Sequence, residues 1–289
     1  MIRIEALSFA YPDGTEALTG VDLEVGGGEF LSLMGANGCG KTTLLKHLVG
    51  LLKPSSGKVL FDGKELASLK DEHVFTQMGI VFQDPNDQLF ASNVEQDVAF
   101  GPANLGLSQD EVATRTVDAL QMAGIAGLGS KAIHTLSFGE KRRAAIAGVL
   151  AMEPRIILLD EPTSGLDPRG ISSIMRLLKK LNREKGITMV MATHDVELVP
   201  LFCNQVAVLE RGRIIRQGTP QQIFDDDEMV RNAQLRLPRM AHLAEILGKE
   251  DGLHFASRPL TIGQARRELL ALLQTWAVKN GSTVHHSQQ

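Results

Sequence analysis

The chain has 289 residues, 43% of them hydrophobic, and a formal net charge of −4 at pH 7. This length allows one large domain, or one domain with an appendage, and a core that needs no covalent staples. The slightly acidic balance argues against a dedicated nucleic-acid binder, which usually presents a basic surface. The two cysteines, Cys39 and Cys203, imply no disulfide framework and fit a reducing cytosol.

The amino-terminal segment is predicted to form three short strands, IRIEALSFAY, ALTGVDLEV and EFLSLM, separated by the turn signals PDG and GGG. It does not have the layout of a signal peptide. No uncharged apolar run reaches the roughly 18 residues of a membrane span. We therefore expect a soluble chain that works at a membrane only if other subunits hold it there.

The third strand leads into GANGCGKTTLL (35–45), which fits the spacing G-x-x-x-x-G-K-[ST]. Such a loop aims backbone N–H groups and the start of the next helix at a phosphate. Lys41 would reach the outer phosphates, and the Thr42 hydroxyl would ligate Mg²⁺. The pattern predicts a nucleoside triphosphate site. The residues of this segment that are predicted to bind the nucleotide are Gly35, Asn37, Gly38, Cys39, Gly40, Lys41, Thr42 and Thr43.

Further along the chain, a helix (TTLLKHLVGLL), a hairpin turning at Asp62-Gly63 and an apolar strand (MGIVFQ) are predicted. Residues 84–150 carry helix formers and a Ser108–Glu111 capping box, which favours a helical subdomain inserted between strands. The strands RIILLDEP, ITMVMATHD and QVAVLERGRII then alternate with helices, as in a doubly wound parallel sheet. We place an α/β ATP-binding domain at 1–224 and a small helical domain at 225–289.

The strand IILLDE (156–161) ends in two acids. Burial of this strand would put Asp160 at its carboxyl tip, near the phosphate loop, where it could hold Mg²⁺. Glu161 faces the other way along a strand and could polarise a water for attack on the γ-phosphate. The alternative is that both acids merely end a strand.

The segment LSFGEKRR (136–143) precedes an apolar helix. Ser137 and Gly139 would lie at the helix start, where a hydroxyl and free N–H groups could also face a phosphate. By itself this could be an ordinary helix cap. One nucleotide does not need two such helix starts, whereas two nucleotides sandwiched between two chains do.

In this order, the motifs of residues 1–220 resemble the nucleotide-binding domain of ATP-binding-cassette (ABC) proteins. GANGCGKT resembles Walker A, IILLDE resembles Walker B, LSFGE the signature, and Ser164-Gly165-Leu166-Asp167 the D-loop. The resemblance makes Gln83 the Q-loop glutamine, His194 the switch histidine and Tyr11 the aromatic that stacks on adenine. It implies catalysis by Glu161, His194, Gln83 and Lys41, Mg²⁺ bound with ATP by Thr42, Gln83 and Asp160, and a head-to-tail dimer.

Some residues depart from the family pattern or allow other interpretations. Phe138 and Glu140 replace the usual Gly and Gln of the signature, although Ser137 and Gly139 remain. Cys39, at a helix start, could be a redox sensor if its pKa were lowered. His194 could be an ordinary strand-end histidine. The pair His285-His286 could bind metal, but such pairs in a polar terminus are usually without structure.

Two further stretches resemble the ATPases of energy-coupling-factor (ECF) importers. DPNDQLFASNVEQDVAFGPANLGL follows Gln83, and LRLPRMAHLAEILG (235–248) resembles the tail domain through which such ATPases hold each other. The signature region is most similar to the cobalt and nickel uptake subunits. This implies a peripheral position on the cytoplasmic side of the membrane, a transmembrane coupling subunit, a substrate-capture subunit and a second ATPase chain, which could be identical or different.

The acidic, amide-rich run at Asp87, Gln88 and Glu95 to Asp97 is our candidate for docking the membrane subunit. Asp97 could instead be a cap within the domain. The apolar positions of the tail are expected to pack on a mate, or alternatively on the chain's own sheet. They are Leu243, Ile246, Leu247, Leu269, Leu270, Leu272, Leu273 and Trp276.

The leading hypothesis is a transport ATPase for cobalt or nickel. An ECF ATPase for vitamins and another ABC importer or exporter are the alternatives. A DNA-repair ABC ATPase would need a coiled-coil or DNA-binding insertion, and a translation-linked ABC protein would carry two cassettes in tandem, whereas this chain has one.

Overall fold

The structure, a computed structural model, describes residues 1–279. The strands are β1 (Ile2–Ala10), β2 (Glu16–Val25), β3 (Phe30–Met34), β4 (Ser56–Phe61), β5 (Lys64–Glu65), β6 (Met78–Val81), β7 (Ile156–Asp160), β8 (Thr188–Thr193), β9 (Gln205–Glu210) and β10 (Arg213–Gly218). The α-helices are α1 (Lys41–Leu48), α2 (Asp71–Gln77), α3 (Val94–Asn104), α4 (Gln109–Met122), α5 (Phe138–Leu150), α6 (Pro168–Lys185), α7 (Val199–Phe202), α8 (Pro220–Phe224), α9 (Asp227–Asn232), α10 (Arg239–Glu250) and α11 (Ile262–Lys279).

A six-stranded sheet in the order β10-β9-β3-β8-β7-β6 forms the centre of the molecule. Five neighbouring strands of this sheet, β9, β3, β8, β7 and β6, pair in parallel. Since Met34 pairs with Thr193 and Asp160 with Ala192, the carboxyl ends of β3, β7 and β8 share one edge. Loops that leave these strands therefore meet where open α/β sheets bind their ligands.

Side chains of the parallel strands alternate between two apolar clusters. On β7, Ile156 and Leu158 join the cluster under the antiparallel sheet β2-β1-β4-β5, whereas Ile157 and Leu159 join the cluster under helices α5 and α6. A strand covered on both faces reads as a continuous apolar run, as IILL does. The predicted α/β class, with a parallel core and an antiparallel amino-terminal sheet, is confirmed.

The segment QVAVLERGRII was predicted as one strand, and this was wrong. It is a hairpin of β9 and β10, in which Arg211 and Gly212 turn with φ values of 45° and 76°. Two successive residues of positive φ form the tight turn that joins antiparallel strands. β10 is consequently an antiparallel edge strand, so the sheet is mixed rather than wholly parallel.

The helical region between β6 and β7 contains α3, α4 and α5. Ser108 and Glu111 form the predicted capping box at the start of α4. Helix α5 begins directly after Ser137 and leads, through a short connection, into β7. One rigid element therefore joins the signature segment to the strand that carries Asp160.

The tail begins by packing on the rest of the chain. Val230, Ala233, Ala241 and Leu260 are buried in the cluster under α5 and α6. The alternative of a tail folded back on its own cassette is therefore realised for this part. Several larger apolar side chains of α10 and α11 stay exposed, with Leu243 at 43% and Leu273 at 58%. Within residues 1–279, no helix is long and apolar enough to span a membrane.

Candidate functional site

The phosphate loop connects β3 to α1 and depends on glycine at two positions. A Cβ atom on Gly35 would lie 2.2 Å from the carbonyl oxygen of Leu209. Gly40 has φ of 109°, and a Cβ atom there would lie 2.6 Å from the oxygen of Ala17. Only glycine fits both positions. Asn37 and Gly38 lie exposed at the tip of the same loop.

Lys41 is the first residue of α1, and its side chain folds over the loop. Its Nζ donates to the oxygens of Gly35 at 2.8 Å and Ala36 at 3.1 Å. The residue is only 7% exposed. The ammonium charge therefore sits beside the positive end of the helix dipole, an arrangement suited to an anion.

Thr42 and Asp160 lie side by side, as the motif spacing predicted. The Thr42 hydroxyl donates to Oδ2 of Asp160 at 2.7 Å, and Asp160 is 3% exposed. Such oxygen donors suit Mg²⁺, which usually takes one or two carboxylates together with phosphate oxygens. Within residues 1–279, no three His, Cys, Asp or Glu side chains form a ready-made metal site. Phosphate oxygens of a bound nucleotide would add to the Thr42 and Asp160 oxygens around such a cation.

Glu161 and His194 form the second polar pair at this sheet edge. Glu161 has φ of 45°, its N–H donates to the oxygen of Ala192 at 3.0 Å, and its Oε1 lies 2.9 Å from Nδ1 of His194. Glu161 is buried, whereas the His194 side chain is 64% exposed. A carboxylate held in this way can orient a water, and the imidazole can reach outward toward a ligand.

Tyr11 and Gln83 lie on the rim of the same region. The Tyr11 hydroxyl is 2.9 Å from Oγ1 of Thr43, and its ring packs edge-on against Phe9. Thr43 thereby fixes the aromatic ring beside α1, a contact that the sequence does not reveal. Gln83 follows β6, and its side chain is exposed.

The signature segment forms a capping box. The Ser137 hydroxyl accepts from the Glu140 N–H at 3.3 Å, and Oε2 of Glu140 accepts from the Ser137 N–H at 2.7 Å. This bond lowers the pKa of Glu140. Glu140 thus serves as well as the usual Gln in the first turn. Within residues 1–279, no hydrogen bond joins Ser137 or Gly139 to the phosphate loop.

The structure bears on one of the alternatives left open by the sequence, the redox sensor at Cys39. Cys39 is 8% exposed, and burial raises the pKa of its thiol although Lys41 acts in the opposite direction. This argues against the redox-sensor interpretation, which needed a lowered pKa. His285-His286 lies outside the described residues.

Two members of the proposed docking run point inward. Oδ2 of Asp97 accepts from the N–H groups of Phe90 and Ala91 at 2.9 and 3.0 Å, and the residue is 8% exposed. The intradomain cap, left open by the sequence, is the role that its geometry supports. Gln88 donates from Nε2 to the oxygen of Ala145 at 3.1 Å, so it too contacts its own domain. Asp87, Glu95 and Gln96 remain exposed.

Sequence reasoning missed Arg142. This side chain is fully buried, and its two terminal nitrogens donate to the oxygens of Phe82 and Gln83, each at 2.6 Å. In the sequence it belongs to the charged run EKRR, which resembles a solvated helix face. Only the three-dimensional position separates it from its neighbours.

The family model for ABC transporters matches residues 18–164. This match spans the phosphate loop, the signature and the two acids. The chain belongs to the ABC transporter ATP-binding family. It is an ABC-type ATPase, as the motifs predicted.

Relatives extend the likeness over nearly the whole chain. The energy-coupling factor transporter ATP-binding protein EcfA of Methanococcus maripaludis is 52% identical, over 93% of this chain and 97% of the relative. The solved structure of cbiO1 from Clostridium perfringens, part of the ABC transporter complex cbiONQ, is 48% identical. It has a TM-score of 0.73 and covers 85% of this chain and 98% of its own. The predicted likeness to ECF ATPases is confirmed.

A further structure shows an ATP-binding cassette as a dimer, in a post-hydrolysis state bound to ADP and phosphate. It is 32% identical to this chain, with a TM-score of 0.69, and covers 76% of this chain and 99% of its own.

Proposed function

We propose that this cassette powers the uptake of cobalt or nickel ions through ECF-type membrane partners, by binding and hydrolysing ATP as a dimer on the cytoplasmic side of the membrane. The observation that carries the ATPase part is the meeting of the Thr42–Asp160 and Glu161–His194 pairs at one sheet edge, beside the phosphate loop. The likeness to cbiO1, part of the cbiONQ complex, supports the metal substrate.

Within one chain, each polar group has a distinct role in this proposal. Lys41 and the loop N–H groups bind the β- and γ-phosphates, and Tyr11 stacks on the adenine. Thr42, Asp160 and Gln83 would hold Mg²⁺, which neutralises charge on the phosphates when bound. Glu161 orients the attacking water, and His194 contacts the γ-phosphate. The 2.9 Å bond between them keeps the carboxylate aimed into the site.

The second chain completes the site. Ser137 caps the 13-residue helix α5 and Gly139 lies in its first turn, and within residues 1–279 neither has a hydrogen bond to the phosphate loop of its own chain. A head-to-tail partner would bring them to the nucleotide. The dimeric relative bound to ADP and phosphate supports this arrangement. The partner is proposed to be an identical chain, with a second, similar ATPase as the alternative.

The membrane subunit is proposed to dock beside α3. Phe90 and Phe100 are 66% and 50% exposed, and their rings pack edge-on with centroids 4.7 Å apart. Asp87 and Glu95 are exposed beside the same segment. An aromatic pair flanked by acids suits a partner helix with apolar and basic side chains. We call Asp87, Phe90, Glu95 and Phe100 the docking surface.

The tail is proposed to hold two chains together through the exposed side of α10 and α11. The first N–H of α10, at Arg239, donates to Oε1 of Glu197 at 2.8 Å. Glu197 lies three residues after His194, so the tail is attached to the switch loop of its own cassette. A contact between tails would keep the two chains paired while the cassettes open.

The decisive experiment is co-purification with the membrane subunits encoded nearby, followed by uptake assays with radioactive Co²⁺ and Ni²⁺. Uptake of either ion that requires ATP and is lost with Glu161→Gln is the expected result. Uptake of a vitamin, with no uptake of either metal, would contradict the proposed substrate but support the role as an ECF-type ATPase. Release of a substrate instead of uptake would support an exporter.

A further inference from the structure

The fully buried guanidinium of Arg142 connects the signature helix to the loop that carries Gln83. Its Nη1 donates to the oxygen of Phe82 and its Nη2 to the oxygen of Gln83, both at 2.6 Å. Hydrogen bonds from a charged donor are roughly twice as strong as neutral ones. The backbone of Gln83 is therefore clamped to α5, while its side chain remains free to reach a ligand.

Two more contacts fasten the same loop to α5. Gln88 accepts from the Phe82 N–H at 3.2 Å and donates to the oxygen of Ala145 at 3.1 Å. Lys141 donates to Oδ1 of Asn86 at 2.7 Å. Residues 82–88 are thus held along one side of the helix, and a shift of Gln83 must move the helix with it.

The other face of the guanidinium lies on the signature itself. The Arg142 Cζ atom is 5.4 Å from the centre of the Phe138 ring, within the range of a cation–π contact. Phe138 also approaches Gly165, where an added Cβ atom would lie 3.0 Å from a ring carbon. Phe138, the departure from the usual glycine, therefore contacts both Arg142 and the D-loop segment, although it is 37% exposed.

Keeping the charged guanidinium of Arg142 buried costs desolvation free energy. Burial lowers the pKa of the guanidinium, whereas the carboxylates of Asp84 and Asp160 act to raise it. Its Nε has no hydrogen-bond partner among the described residues. Arginine nevertheless stays charged in proteins. An apolar side chain would fill this position without that desolvation cost, so mere packing does not account for an arginine here.

We propose that Arg142 is a positioning residue that couples the two ATP sites of the dimer. This rests on the proposed two-chain sandwich. Gln83 faces the nucleotide on its own phosphate loop, whereas Ser137 and Gly139 face the nucleotide of the partner. Because Arg142 binds the Gln83 backbone and stacks on Phe138, occupancy of one site sets the position of the signature at the other.

The neighbouring Arg143 provides a matched control. It is part of the same helix and donates to the oxygen of Ala123 and, at 2.5 Å, to Oγ of Ser173. It therefore ties α5 to the end of α4 and to α6, and within residues 1–279 neither hydrogen bond reaches the Gln83 loop. Loss of Arg143 removes a partly buried arginine with its bonds, but leaves the Gln83 loop in place.

The test compares Arg142→Gln with Arg143→Gln in the full-length protein, through steady-state ATP hydrolysis and through nucleotide binding by dilute chains. We expect Arg142→Gln to lower kcat about tenfold or more and to bring the Hill coefficient for ATP from above 1 to about 1. Nucleotide affinity of the single chain should change less than about threefold. Arg143→Gln should keep the wild-type Hill coefficient, even if its melting temperature falls as much as that of Arg142→Gln.

Arg142→Lys guards against a folding defect, because lysine keeps the charge and can reach one of the two carbonyls. It should restore part of the cooperativity. A Hill coefficient unchanged by Arg142→Gln, or lost equally with Arg143→Gln, would overturn the coupling role. ATP-driven dimers of the Glu161→Gln protein are measured in parallel by size-exclusion chromatography. If they form, the overturned coupling leaves the proposed function standing; if they never form, the proposed function fails as well.

Discussion

Helices α1 and α11 differ in how far their side chains are buried within the chain. Six of the eight residues of α1 are buried, including the polar Lys41, Thr43 and His47. On α11, in contrast, Leu269, Leu270 and Leu273 are 37%, 37% and 58% exposed. Helix α1 therefore buries most of its side chains within its own chain, whereas the tail displays an apolar face that only another surface can cover.

The contrast has a functional meaning in the proposed mechanism. Binding of ATP needs a preformed cradle, and its polar groups are already held by hydrogen bonds of 2.7 to 2.9 Å at Thr42 and His194. Association with a second chain instead needs an apolar surface that stays exposed in the single chain. Substitutions in the first region should therefore disturb chemistry, and substitutions in the second should disturb assembly.

The largest effect is expected from Lys41→Ala. It removes the main cation from the phosphate loop, and the loss of one partner of a buried charge pair typically costs 2–5 kcal/mol. ATP affinity should fall at least about thirtyfold, measured by isothermal titration calorimetry. Lys46→Ala, in the last turn of the same helix, is the control and should bind ATP as the wild type does. Retained affinity in Lys41→Ala would remove this lysine from the site.

Glu161→Gln should separate binding from turnover. The amide keeps the shape of the side chain but cannot draw a proton from water, so kcat should fall by a factor of at least about 10² while ATP affinity stays within about threefold. Dimers should accumulate with ATP and appear as a mass increase in size-exclusion chromatography. Glu184→Gln, which changes an exposed acid on α6, should leave turnover intact. Turnover near the wild-type rate in Glu161→Gln would rule out the assignment.

The tail provides the next test, through Leu273→Asp. Burying one leucine side chain is worth about 1.5–3 kcal/mol, so pairing of nucleotide-free chains should weaken roughly tenfold to a hundredfold. The melting temperature should hardly change, because an exposed substitution costs the single chain within about 0.5 kcal/mol. Gln274→Asp places the same charge one residue further along and should leave pairing intact.

Analytical ultracentrifugation at micromolar concentration measures this pairing without nucleotide. Removal of residues 225–289, the simpler test suggested by the sequence alone, would also strip Val230 and Ala241 from the core and confuse instability with dissociation. If the wild-type protein is monomeric without nucleotide even beside its membrane subunit, the tail is not a clamp.

The docking surface should respond to Phe90→Ser. We expect uptake to fall several-fold and ATP affinity to remain unchanged, because Phe90 is 66% exposed and its ring packs on Phe100, away from the groups proposed to bind ATP. Asp97→Asn should instead lower the free energy of unfolding by about 1–2 kcal/mol, since it weakens the two bonds to residues 90 and 91. Normal uptake in Phe90→Ser would move the partner to another surface.

Much of the nucleotide region follows from the sequence, because its motifs fix backbone geometry. The glycine spacing of 35–40 dictates a loop, and IILLDE dictates a buried strand with acids at its tip. Long-range side-chain contacts carry no such periodic pattern. The bonds of Tyr11 to Thr43, Asp97 to residues 90–91 and Arg142 to the Gln83 loop depend on how distant segments pack. The β9–β10 hairpin was missed because its turn is Arg211-Gly212. Asn-Gly and Asp-Gly are the usual signals of a two-residue hairpin turn, and Arg-Gly is a weaker one.

The smallest effect is expected at the two cysteines. Burial raises the pKa of Cys39, and that of Cys203 to about 12. Because the thiolate is the reactive form, a raised pKa keeps both thiols protonated at pH 7.5 and moves their reactivity to higher pH. In a Cys203→Ala background, Cys39 should react with iodoacetamide at least about tenfold more slowly than free cysteine at pH 7.5, and faster as the pH rises. Hydrogen peroxide should leave ATP hydrolysis unchanged. Rapid labelling at pH 7.5, with loss of activity that dithiothreitol reverses, would instead restore Cys39 as a redox sensor.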